Sequence, residues 1–152
     1  MDLQKFDIIG ISVRTTNENG QCSIDIGALW QRFFAEDVMA KIPNKLSSEI
    51  FSVYTDYEKD HTKPYTVILG CKVKDLETIP AGMVGRKIGS GKFVKFVAKG
   101  NLMQGVVYNE WQKIWKAEAE LNRTYHADFE VYGQRAANRE SAEVDIFISV
   151  KS

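Results

Sequence analysis

Asp128-Phe129-Glu130-Val131-Tyr132-Gly133 alternates without interruption, Phe129 and Val131 against Glu130 and Tyr132. A period of two is that of a β-strand, so Phe129 and Val131 point to one side of a sheet and Glu130 and Tyr132 to the other. An acid beside an aromatic on one strand face has two readings. It is a solvated surface with the acid paired to lysine, or the floor of a pocket for something cationic and flat.

The stretch has an echo. Phe51-Ser52-Val53-Tyr54 matches Phe129-Glu130-Val131-Tyr132 at a distance of 78 residues in a chain of 152. Each copy is followed by a polar turn and a strand, residues 65–73 in one half and 143–150 in the other. Each is preceded by a helical segment carrying tryptophan. The chain therefore reads strand-helix-strand-strand twice, over residues of about 4–74 and 91–152, within a single domain. This predicts an α+β fold in which two similar modules share a mainly antiparallel sheet, with two main helices packed on it and a crevice at the junction. The repeat also isolates a difference: position 52 is serine where position 130 is glutamate.

The remaining segments fill in this frame. Residues 6–15 (FDIIGISVRT) are β-rich, with Ile9, Ile11 and Val13 on one face, Phe6 and Ile8 on the other, and a bulge expected near Gly10. Residues 16–20 form a loop. From 26 to about 42 the period becomes helical, through Ile26, Leu29, Trp30, Phe33 and Val38, until Pro43-Asn44 stops it. The plain role of Trp30 and Phe33 is to anchor that helix to a sheet. Residues 50–56 and 65–73 are strands, and 74–90 are expected to be a long connector. Residues 92–99 alternate as a strand. A second helix is predicted over 102–121, with Met103, Val107, Trp111 and Ile114 in one stripe, Trp115 beside it, and Glu118 and Glu120 solvated. A polar turn at 135–141 precedes the last strand, where Val144, Ile146, Ile148 and Val150 share a face.

Twenty basic and twenty acidic residues cancel, which withholds the positive field expected of a nucleic-acid or anionic-membrane binder. No apolar run approaches the roughly 20 residues that span a bilayer, and the first residues lack signal-peptide character. Cys22 and Cys71 are too few for a disulfide framework, so a reducing cytoplasm is the expected compartment. His61 and His126 stand alone, without ligands at metal spacing, and neither a metal nor another cofactor is expected. The glycines of residues 85–92 miss the phosphate-loop pattern, since Arg86 and Phe93 occupy its decisive places. Cys71 is read as buried packing.

Several segments, taken in order, resemble the GyrI-like small-molecule-binding family, also called the bacterial transcription-activator effector-binding domain. They are Ile26-Gly27-Ala28-Leu29-Trp30 with Phe33, residues 65–70 with Val73, Ile88-Gly89-Ser90-Gly91-Lys92-Phe93, residues 108–115, residues 128–132, and Val144-Asp145-Ile146-Phe147-Ile148. That family includes ligand modules of multidrug-responsive regulators and free-standing forms, some on integron cassettes. The resemblance implies two similar modules around an aromatic cleft whose buried acid meets cationic amphipathic molecules. Glu130 matches that acid. Tyr132, Trp111 and Phe147 are candidate walls, joined by Trp115, Trp30 and Tyr54. No helix-turn-helix segment precedes the first module, which begins near Phe6, so direct DNA binding is not expected.

The chemistry supports such a site. A carboxylate in an apolar crevice loses hydration at a cost of several kcal/mol unless a partner charge arrives. A lipophilic cation supplies that charge, and each aromatic face adds roughly 0.5–2 kcal/mol. The expected function is binding a small, drug-like organic cation for sequestration or sensing, with a separate protein partner for any output. Two other classes stay open. Glu130 with Tyr132 or Tyr65 is a pair that activates water against a reactive electrophile, and the chain equally suits an inhibitor or interaction module for a larger protein.

Overall fold

The structure, a computed structural model, describes residues 1–151. In chain order the elements are β1 (Asp2–Leu3), β2 (Phe6–Thr15), α1 (Gln21–Ala35), α2 (Val38–Lys41), β3 (Ile50–Thr55), β4 (Tyr65–Val73), β5 (Val84–Ile88), β6 (Gly91–Gly100), α3 (Val106–Lys116), α4 (Glu118–Leu121), β7 (Ala127–Tyr132) and β8 (Ala142–Ser149). The strands form one curled sheet in the order β1-β6-β8-β7-β3-β4-β2-β5, antiparallel at each junction.

The order is a palindrome of the repeat. Strands β2, β3 and β4 of the first half mirror β6, β7 and β8 of the second, and β3 meets β7 at the centre. Register there pairs Ser52 with Glu130, Val53 with Phe129 and Phe51 with Val131. Ser52 and Glu130 are also the residues the repeat equates. The local twofold axis therefore passes between these two side chains.

One face of the sheet carries the helices. Leu29 and Phe33 of α1 pack on Ile9, Ile11, Val67 and Leu69, while Trp111 and Ile114 of α3 pack on Ala98, Val144, Ile146 and Ile148. The other face curls on itself around Phe51, Phe93, Phe129 and Ile8, with Phe6 and Phe147 alongside. Apolar side chains on both faces explain why β4 reads as an almost continuous hydrophobic run.

Several expectations need correction. Gly10 marks no bulge, since β2 pairs with β4 without a break from Asp7↔Val73 to Thr15↔Tyr65. Gly10 lies opposite Gly70, and a Cβ on Gly10 would stand 2.2 Å from the Leu69 carbonyl oxygen. Glycine is required there by close approach. The first helix begins at Gln21, behind Gly20 in the left-handed region (φ 69°), and a left-handed Asp37 (φ 49°) separates it from α2. Asp tolerates that conformation because its short polar side chain bonds locally. The second helix likewise breaks at Ala117, between α3 and α4. Residues 74–90 include a strand, β5, which pairs with β2 and buries Ile88.

Among the described residues no helix is long and apolar enough to cross a membrane.

Candidate ligand-binding site

Alternation on β7 sends Glu130 and Tyr132 to the helix-covered face, and the seam between α1 and α3 leaves a cavity of about 320 Å³ above them. Helix α1 supplies Ile26 and Trp30, and α3 supplies Val107, Trp111 and Trp115. Tyr54 and Tyr65 rise from the sheet, while Tyr57 and His61 come from the β3–β4 turn. The volume lies within the range of small-molecule sites.

Glu130 is 1% exposed and fully engaged by protein donors. The Trp111 indole Nε1–H donates to Oε2 at 2.5 Å, and the Tyr54 hydroxyl donates to the same oxygen at 2.7 Å. The Tyr132 hydroxyl donates to Oε1 at 2.6 Å. A carboxylate offers about four acceptor positions, so one remains on Oε1. Burial pushes the Glu130 carboxyl above its ordinary value, and the three donors pull the other way. Burial, then the charge of Glu130, holds the Tyr54 and Tyr132 hydroxyls well above theirs, so both stay protonated donors.

The arrangement crosses the axis. Tyr54 and Tyr132, equivalent in the repeat, grip the one acid from both sides. Trp111 of the second half packs edge-on against Tyr54 (centroids 5.2 Å apart), and Trp30 of the first half does the same to Tyr132 (4.9 Å). Each half's helix thus closes over the other half's strand.

A second buried charge lies at one end. Arg123, 5% exposed, donates to Asp128 Oδ2 at 2.7 Å and lies against the Tyr125 ring at 4.4 Å. Tyr57 donates to the same Asp128 oxygen at 2.6 Å, and the Ser149 amide donates to Oδ1 at 2.8 Å. Burial opposes the guanidinium charge, but Asp128 and Tyr57 outweigh it and hold Arg123 above its ordinary value. His61 stacks on Trp115 with rings 5.7 Å apart and 10° from parallel. Its Nδ1 lies 3.4 Å from Glu118.

Of the residues singled out in the sequence, Glu130, Tyr132, Trp111, Trp115, Trp30 and Tyr54 surround the cavity together. Phe147 does not. It lies on the opposite face, stacked on Phe129 at 4.8 Å. The solvated reading of Glu130 is overturned by its burial. Glu118, expected in solvent, is half-buried and faces Arg123 and His61. Tyr65, the other tyrosine considered for water activation, donates to Asn17 Oδ1 at 2.5 Å. Tyr57, His61 and Arg123 escaped sequence reasoning because a turn and an irregular segment bring them in, where no period signals a direction. No cluster of three His, Cys, Asp or Glu side chains suited to a metal ion is present among the described residues.

A two-module antiparallel sheet enclosing an aromatic cavity over a buried acid defines an effector-binding class of protein. The chain belongs to the family described as Cass2, integron-associated effector binding protein, whose pattern matches residues 1–150. It is 31% identical to the Vibrio cholerae integron cassette protein VCH_CASS2, whose crystal structure superposes with a TM-score of 0.77 over 99% of this chain and 94% of that one. The structure of SAV2435 bound to tetraphenylphosphonium shares the fold (TM-score 0.81, 100% and 92% covered) at 20% identity. YobU of Bacillus subtilis strain 168, by name a candidate transcriptional regulator, is 26% identical over 99% of this chain and 94% of its own length.

Proposed function

We propose that the protein binds a small amphipathic organic cation in the cavity between α1 and α3, with Glu130 as counter-charge and Tyr54, Tyr132, Trp30, Trp111 and Trp115 as walls. The observation that carries this reading is the buried carboxylate under an aromatic roof. Among the described residues no Lys or Arg side chain pairs with it, and its three hydrogen bonds do not cancel the cost of desolvation. An arriving lipophilic cation relieves that cost while ring faces meet its apolar surface. Ring faces and one charge impose little directional bonding, so selectivity is broad. The tetraphenylphosphonium bound by SAV2435, a protein of the same fold, is a ligand of this chemistry. Binding serves sequestration, or sensing through a separate protein partner.

The test is a tryptophan-fluorescence titration with tetraphenylphosphonium and with neutral triphenylphosphine oxide, on wild type and Glu130→Gln. Glutamine fits the same donors, with its carbonyl accepting from Trp111 and Tyr54 and its amide donating to the Tyr132 oxygen. The expected result is quenching selective for the cation, with affinity falling at least about tenfold in the variant, the equivalent of about 1.4 kcal/mol. Equal affinity of wild type and variant for the cation would remove Glu130 from the site.

A further inference from the structure

The twofold that relates the halves also relates two concavities. Aligning the last residues of α1 (Ala35) and α3 (Lys116) sets Trp30 against Trp111, Phe34 against Trp115 and Ile26 against Val107, and the strand repeat sets Tyr54 against Tyr132. The first cavity is bounded by Trp111, Trp115, Ile26 and Tyr54. Their counterparts Trp30, Phe34, Val107 and Tyr132 bound a second, open groove of about 740 Å³. It lies across the Trp30–Tyr132 contact, and Trp30, Val107 and Tyr132 have one side in each space.

The groove differs from its counterpart in what closes it. Where Tyr57 and His61 cap the first cavity, the turn after β7 offers Gly133, Ala136 and Ala137. The space therefore stays wide. Its apolar flank is solvent-facing, with Phe34 58% and Met103 70% exposed, and Ser48, Gln134 and Arg139 supply a polar edge. It has no acid of its own, because the acid sits on the axis. Tyr132 links the two spaces chemically: its ring is part of the partition, and its hydroxyl occupies Glu130 Oε1.

We infer that this groove is a second ligand chamber served by the same carboxylate, receiving the apolar arm of an elongated cation whose charged head lies at Glu130. The inference rests on the cation reading above. The occupant is the arm of a small molecule because the groove shares three walls with the cavity and is of small-molecule size. Its preferred ligands are single-headed amphiphilic cations such as alkylammonium ions. A compact cation fills the first cavity alone, and a long arm passes over Tyr132 and covers Phe34 and Met103.

The experiment is calorimetric titration of wild type, Ala137→Trp and Glu130→Gln with butyl- and dodecyltrimethylammonium, below the micellar concentration of the latter. Ala137 is exposed, with right-handed helical backbone, so tryptophan there fills the groove without entering the core. Each fully buried methylene strengthens binding by about fourfold, so eight partly covered ones are expected to give at least a tenfold gain for dodecyl over butyl in wild type. Ala137→Trp should abolish that gain and leave butyl affinity unchanged, and Glu130→Gln should weaken both ligands. A dodecyl gain that survives in Ala137→Trp, or is absent from wild type, overturns the second chamber while the cation reading stands. Failure of butyl to bind wild type overturns both, as does indifference of both ligands to Glu130→Gln.

Discussion

Glu130 is the residue on which most of the chemistry turns, and its environment couples stability to pH. Because burial raises its folded-state value, the folded protein holds a proton that the unfolded chain has released, and stability declines as pH rises from the ordinary glutamate range through the raised value. Below that window both states are protonated and the effect disappears. Glu130→Gln is therefore expected to be more stable than wild type at neutral pH, with the advantage shrinking toward pH 4. Urea unfolding across that range checks it, and a variant less stable at neutral pH would show that the three donors outweigh desolvation. Substituting Arg123 has the opposite effect on stability. Arg123→Met strands Asp128 in the interior and should cost about 3 kcal/mol or more in the same assay. The alternation of residues 128–133 made the direction of Glu130 legible. Its burial was open in the residues themselves and came only from the family resemblance, because burial depends on two helices closing from opposite halves.

At the scale of elements, the long strands announced themselves and the interruptions did not. Strands β2 and β4 span the predicted residues, and β3 nearly so, since alternating or continuous apolar runs leave little choice. β5 was missed because Val84-Gly85-Arg86-Lys87-Ile88 is a short edge strand with only Ile88 deeply buried. Phe147 was placed at the cavity through the family resemblance; alternation on β8 sets it with Glu143 and Asp145, away from Val144, Ile146 and Ile148, without saying which side the helices cover. Glycine made its own demands. Gly10→Ala or Gly70→Ala forces a Cβ into a neighbouring carbonyl and is expected to destabilise by about 3 kcal/mol. Gly27→Ala, in the middle of α1 with open space around it, should stabilise by about 0.5–1 kcal/mol. Thermal unfolding of the three variants separates the two kinds of glycine.

For the whole molecule, the decisive feature is that the twofold axis falls between Ser52 and Glu130. Two identical chains meeting in this way would have to carry the acid twice, because an isologous contact presents the same residue from both sides. Directly paired residues have Cα atoms about 5 Å apart, and two carboxylates so close and so dry do not both ionise. Joining the halves in one chain frees each axial position to take its own residue. One becomes an acid with no second acid beside it, and the other a small hydroxyl with no hydrogen-bond partner. Ser52→Glu would restore the symmetry and should unfold readily at neutral pH and recover as the solution is acidified, a reversal that denaturation at pH 7 and pH 4 would reveal. Covalent linkage of the two modules thus does more than hold them together: it lets a symmetric scaffold carry one acid on its axis, the complement of the monovalent guest proposed above.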